Sequence, residues 1–246
     1  LLQLFKAIAA QLQDIYTKEG IGGESEKRGI LFADDCLVAF RNLGFLQDPL
    51  FTRAVGPRAQ DSVLMARVWR LWVTSWSLSA CWSIDGDVID LGTYNGKAFF
   101  TSCKYALLFH GSHKKSGRFI AADLFENPPK EAKKTDHGPN LHSQVDMLMK
   151  AILPGSVVVK GYVPDCLQPL ILNKIAWCQI DLNSAEADLS SFRYIYPFLS
   201  KGAHVIFDDY GSNRYPDTQS QLDKFLEGKG ERILELPTMQ GLFIKS

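Results

Sequence analysis

From residue 87 onward the chain alternates short apolar runs with longer amphipathic stretches, and this alternation limits the fold more than any other feature. The runs DVIDLG (87–92), RFIAADLF (118–125), VVVKGY (157–162), IAWCQIDL (175–182) and HVIFDDY (204–210) are largely apolar or β-branched. Strands covered on both faces read this way. Helical patterns at 96–109, 140–153, near 165–172 and at 184–198 separate them, which implies a parallel sheet with right-handed crossovers. A further helix near 216–227 precedes ERILELP and QGLFIKS, joined by a few residues around Thr238. So short a link cannot cross over a sheet, so these two runs are expected as antiparallel neighbours. The expected fold class is α/β: a doubly wound, Rossmann-like sheet of seven strands with an antiparallel C-terminal hairpin, plus N-terminal helices.

The segment before this alternation reads differently. Leu1, Leu4, Phe5, Ile8, Leu12, Ile15 and Tyr16 share one helical face, and TKEGIGGESEKRG then breaks the pattern, so 1–18 is expected as a packing helix, with an oligomer contact as the alternative use of that face. A second helix is expected over 62–82, where Val68, Leu71, Trp72 and Ser75 fall at three- and four-residue steps and the tryptophans read as core. This divides the chain into a helical region, 1–84, serving as cap or oligomerisation element, and a domain at 85–246.

Length and charge narrow the partners. A chain of 246 residues can bury one sizeable core. Lysine plus arginine equals aspartate plus glutamate at 27 each, so the balance predicts neither nucleic acid nor membrane as a partner and favours a small molecule. The five cysteines are scattered and form no CxxC pair, which speaks against a disulfide framework or zinc site. With no secretory signal pattern in the first residues, a cytoplasmic location is expected.

The chemistry gathers at the ends of the runs. The first leads into DLGTYNG, with Gly92 and Gly96 three residues apart after Asp90. A pyrophosphate-binding turn has the spacing G-x-G-x-x-G, so this turn suits a ligand without a pyrophosphate and disfavours a nicotinamide-dependent oxidoreductase. The second run ends at Asp123, where an acid can accept from ribose hydroxyls or cap a helix. The fourth ends at Asp181 and the fifth at Asp208 and Asp209. Neighbouring tips would bring these three carboxylates together, and like charges so close need a cation. Oxygen ligands select a hard divalent ion such as magnesium; the alternative is that one aspartate caps a loop and the other is solvated.

In this order the elements resemble the class I S-adenosylmethionine-dependent methyltransferases, and more narrowly the metal-dependent sugar O-methyltransferases of the macrocin (TylF-like) family. The resemblance rests on GDVIDLGTYNG, ADLFE and IDLNSAEADLSSFRYIYPFLSKGAHVIFDDYG with the closing hairpin, over about 85–246. It implies an O-methyltransferase that uses S-adenosylmethionine and Mg²⁺ and acts on a hydroxyl of a sugar or other small metabolite. Asp90, Gly92, Thr93, Tyr94 and Gly96 would hold the methionine side of the cofactor. Asp123, Leu124 and Phe125, with Gly161, Tyr162 and Asp181, would complete that site. Asp181, Asp208 and Asp209 would be metal ligands. Where the family has a second aspartate this chain has Asn183, which leaves the general base unassigned beside Asp181. His142 and His137, in KTDHGPNLH, are the substitutes to consider, ahead of His204; Glu186 and Asp188 read as solvated or capping. A cofactor-binding protein without turnover is the alternative.

Overall fold

The computed structural model describes residues 30–33, 36–39, 43–111, 115–126, 138 and 140–246. The expected helix over 1–18 and His137 lie outside the described residues. Two short strands, β1 (Ile30–Ala33) and β2 (Cys36–Ala39), pair antiparallel apart from the main sheet, an element the helical reading of this region did not foresee. Helix α1 (Pro49–Val55) follows, started by Asp48, whose carboxylate accepts from the Phe51 amide at 2.7 Å.

The single helix expected over 62–82 is two: α2 (Ser62–Met65) and α3 (Val68–Ala80). Between them Arg67 leaves the helical region, with φ −120° and ψ 31°. This kink sets Arg67 and Arg70 on the wall of one cavity.

The sheet comprises β3 (Asp87–Leu91), β4 (Phe119–Asp123), β5 (Val157–Lys160), β6 (Ile175–Ile180), β7 (Leu199–Phe207), β8 (Ile233–Glu235) and β9 (Gly241–Ile244), in the order β5-β4-β3-β6-β7-β9-β8. The first five are mutually parallel; β9 runs antiparallel to both β7 and β8. The seven strands and the antiparallel pair are as the sequence predicts. Strand β7 begins at Leu199, earlier than the apolar run suggests, because Leu199 pairs with Ile175. Helices α4 (Lys97–His110), α5 (Leu141–Lys150), α6 (Ala185–Ile195) and α7 (Asp217–Leu226) flank the sheet, and the stretch near 165–172 is a 3₁₀ turn over Asp165–Leu170.

Residues alternate between two covered faces, as a period of two requires. Ile89, Cys178, Val205 and Phe207 pack beside Phe192 of α6 and Leu222 of α7. Val88, Trp177 and Ile206 pack beside Leu78 of α3, Phe99 of α4 and Val145 of α5. A third cluster, Phe51, Val55, Val68, Leu71 and Tyr105, joins α1, α3 and α4.

The Ser77 hydroxyl links helix α3 to the middle of the sheet. Ser77 accepts from the Trp177 indole at 3.0 Å and lies 3.0 Å from His204 Nδ1. Seven residues back along the helix is a climb of about 10 Å, and four residues forward along β7 is about 13 Å. Arg70 therefore arrives beside the tip of β7.

Phe192 is fully buried and meets the rings of Phe207, Phe225 and Phe243 edge-on at 5.0–5.3 Å. Phe192→Ala is expected to lower the free energy of unfolding by about 3–5 kcal/mol in urea denaturation; a loss below about 1 kcal/mol would mean the cluster closes over the hole.

Candidate functional site

In an open parallel sheet, ligands bind beyond the carboxyl ends of the strands where the chain reverses its order across the sheet. Here that point lies between β3 and β6, because the chain moves outward from β3 to β5 and then returns past β3. The Asp181 amide donates to Leu91 carbonyl oxygen at 2.8 Å, and the Asp208 amide to that of Ile180 at 3.0 Å, which ties the tips of β3, β6 and β7 into one edge.

The glycine turn after β3 has its own structural reason. Gly92 has φ +89°, and a Cβ there would overlap the Asp181 carbonyl oxygen. Gly96 has φ +71° at the start of α4, and a Cβ would sit 3.1 Å from a Val145 methyl. Both glycines thus permit close approach of neighbouring strand and helix, apart from any ligand. Between them the Thr93 hydroxyl donates to the Asp90 carbonyl oxygen at 3.0 Å. Asp90 is buried, and this burial, followed by the charges of Asp123 and Asp208, raises its carboxyl to about 7 against the opposing Thr93 hydroxyl.

Asp123, at the tip of β4, accepts from the Tyr94 amide at 2.7 Å and the Phe125 amide at 2.6 Å. It pins the glycine turn to the neighbouring strand and caps no helix among the described residues. Leu124 is half-buried and Phe125 buried beside it, while Tyr162, after Gly161 at the end of β5, is exposed. Tyr94, Phe125 and Asn183 have φ of 51°, 53° and 55°, and Met239 65°. Left-handed backbone at non-glycine residues is costly; three of these follow strand tips and the fourth lines the adjoining cavity, while Asn140 and Ile171 adopt it away from the carboxylates. An anionic acceptor beside a pinned glycine turn suits the hydroxyl donors of a ribose, so the residues at β3 and β4 fit the cofactor that the resemblance implies.

The three carboxylates are brought together as the sequence predicts. Asp181, Asp208 and Asp209 line a cavity of about 120 Å³ with Arg67, Arg70, Asn183, Arg214 and Tyr215. Their counter-charge, however, is a side chain. Arg70 Nη1 lies 2.7 Å from Asp208 Oδ2 and 4.0 Å from Asp209 Oδ1. The other oxygen of Asp208 accepts from Gln240 Nε2 at 3.1 Å, and the Gln240 amide also reaches Thr74 of α3 at 3.4 Å. Both partners of the pair are nearly buried, with side chains 9% and 7% exposed.

The expectation that Asp181, Asp208 and Asp209 hold magnesium meets an arrangement in which Asp208 already has a cationic partner. Asp208 presents both oxygens to N–H donors, and a divalent ion at that spot would meet a buried guanidinium. Among the described residues no group of three aspartate, glutamate, histidine or cysteine side chains is arranged to hold a metal ion. As placed, Asp208 fits a guanidinium partner better than a magnesium ion.

His142 has its contacts elsewhere on the sheet. Its Nε2 lies 3.3 Å from the Val158 carbonyl oxygen, and its ring stands edge-on to Phe125 at 5.1 Å. These contacts place His142 over β4 and β5, on the far side of β3 from β6. His204 is buried against Ser77 and Trp76, which lowers its pKa. Asn183 does lie at the site: its amide donates to Asp181 Oδ1 at 3.2 Å, and its oxygen accepts from the Tyr215 hydroxyl at 2.6 Å. Arg67, Arg70, Arg214, Tyr215 and Gln240 escaped the sequence reading. One signal existed: Arg70, Thr74 and Ser77 form a polar stripe at helical spacing inside an apolar stretch.

The fold is shared with solved structures. CalS11, a calicheamicin methyltransferase, superposes with a TM-score of 0.59 at 16% identity, over 91% of this chain and 98% of that one. The O-methyltransferase NovP gives 0.59 at 17%, over 74% and 81%. The O-methyltransferase from Bacillus cereus in complex with SAH gives 0.53 at 11%, over 80% and 91%. The chain has the methyltransferase fold. No family profile and no curated protein matches its sequence.

Within this methyltransferase fold the carboxylates are electrostatically loaded. Burial, then the charges of Asp208 and Asp209, push the Asp181 carboxyl well up. Burial, then Asp208, raises Asp209 to about 6 despite Arg70, Arg67 and Arg214. Asp188 is buried rather than solvated; it accepts from the Leu182 amide at 3.3 Å and is raised to about 7, chiefly by burial. A carboxyl raised in the folded state costs stability as pH climbs from its unfolded value of about 4 through its folded value. Asp188→Asn keeps the oxygen that accepts from Leu182, so at pH about 8 it is expected to be more stable than wild type by of order 2 kcal/mol. The gain should vanish near pH 4 in thermal melts; an equal gain at both pH values would assign it to packing.

Proposed function

We propose that the chain binds S-adenosylmethionine across the tips of β3 and β4 and transfers its methyl group to a hydroxyl of a small metabolite. The observation that carries this reading is the Asp123 carboxylate, fixed by the Tyr94 and Phe125 amides beside a glycine turn that lacks pyrophosphate spacing. The bound cofactor supplies an electrophilic methyl group on a sulfonium. The chain's residues bind and orient it: Asp123 accepts from the ribose hydroxyls, and the turn from Gly92 to Gly96 brings backbone close.

Asp209 removes the acceptor proton. It lines the cavity, is half-buried, and stands farther from Arg70 than Asp208 does. A carboxylate raised to about 6 suits a base working near neutrality. No step is assigned to magnesium. A sugar is the leading acceptor class, supported by a neighbour of the same fold described as a TDP-rhamnose 3'-O-methyltransferase, 17% identical with a TM-score of 0.56. Exposed Arg67 and Arg214 on the cavity wall would suit the phosphates of a nucleotide sugar. A cofactor-binding protein without turnover is the second reading, favoured by Asn183, which is engaged with Asp181 and Tyr215 where the resemblance expects an acid.

Calorimetric titration is expected to show S-adenosylhomocysteine binding, weakened at least about tenfold by Asp123→Ala at matched folded fraction, a loss of about 1.4 kcal/mol. No binding to wild type rejects the proposal. With a panel of nucleotide sugars, turnover should rise through an apparent pKa near 6. Asp209→Asn should lower it by about a hundredfold or more, and full activity in that variant would remove Asp209 as base.

A further inference from the structure

We infer that Arg70 is the resident counter-cation of the strand-tip carboxylates, standing where a divalent ion would otherwise be required, so that this site binds no metal. The argument begins with charge. Asp181, Asp208 and Asp209 converge from adjacent strands, and the same cavity wall carries Arg67, Arg70 and Arg214. The cation nearest the cluster comes from within the chain.

Geometry makes the substitution exclusive. The Arg70 guanidinium lies 2.7 Å from one Asp208 oxygen, and Gln240 holds the other at 3.1 Å. Each of these oxygens keeps a second lone pair, but a divalent ion bound there would lie close to the Arg70 guanidinium, and like-charge repulsion would require Arg70 to move away. Arg70 has little freedom to do so. Its helix is fixed to β6 and β7 through Ser77 and to the β8–β9 link through Thr74 and Gln240. Removing it from Asp208 would leave a buried guanidinium beside an incoming divalent ion, and an uncompensated buried charge is strongly unfavourable.

The contact also gives the N-terminal helices a function at the site. Arg70 comes from α3, before the alternating part of the chain, and completes a cluster whose acids all come from β6 and β7. A domain cut at residue 85 would carry the acids without Arg70, the partner of Asp208.

The test uses Mn²⁺ alone as probe, with binding followed by loss of the free-ion electron paramagnetic resonance signal. Because no cofactor is needed, the result is independent of whether S-adenosylhomocysteine binds. Wild type is expected to bind Mn²⁺ no more tightly than its Asp208→Asn variant, and neither Mg²⁺ nor EDTA should move its melting temperature at constant ionic strength. Arg70→Ala, which removes the cation paired with Asp208, is expected to gain Mn²⁺ affinity by about tenfold or more. Stoichiometric Mn²⁺ binding to wild type that is lost in Asp208→Asn would overturn the inference. That comparison stands even if Arg70→Ala does not fold.

Discussion

A guanidinium 2.7 Å from a buried aspartate is the interaction on which the arrangement of the site depends. The strand order forces acids from β6 and β7 to a common edge, where repulsion and desolvation would push them apart or protonate them. Arg70 answers that pressure at Asp208, and in doing so fixes how α3 crosses the sheet. The salt bridge is both electrostatic compensation and a structural tie, since the helix that carries it is also held by Ser77 against Trp177. Buried ion pairs add little net stability over apolar packing, but losing one partner is costly. Helix and strand tip are therefore coupled.

The glycine turn illustrates how one residue can satisfy two demands. Gly92 is needed by the Asp181 carbonyl, which comes too close for any Cβ. The same contact joins the two strand tips between which the chain reverses direction. A motif read as a ligand cradle is thus first a backbone crossing, and its use for a ligand follows from the space and amides that the crossing leaves. Asp123 works similarly, since the carboxylate that suits ribose hydroxyls also secures the turn through the Tyr94 amide.

The 2.8 Å bond between the Asp181 amide and Leu91 makes the carboxylate cluster and the glycine turn neighbours on one edge. Cofactor and acceptor would therefore meet where β3, β6 and β7 end. Rigidity comes from the sheet below, with Phe192 and Trp177 packed on opposite faces. The strained backbone at Tyr94, Phe125 and Asn183 is confined to the loops above.

The alternation of apolar runs and amphipathic stretches was enough to read the sheet, its parallel strands and the closing hairpin, because burial on both faces and short links leave local signatures. The positions of Asp90, Asp123, Asp181, Asp208 and Asp209 at or near strand ends were legible for the same reason, and so was the need of the last three for a cation. Which cation was not legible. Arg70 lies 138 residues from Asp208 in the chain, and no local pattern reports a contact at that distance. His142 likewise looked available from its polar surroundings until its contacts and the strand order put β3 between it and the acids. Local chemistry, written in periodicity and strand-end residues, was determined by the sequence alone; the choice of counter-charge and the distance between candidate groups were decided by tertiary structure, because electrostatic partners are selected by proximity in space.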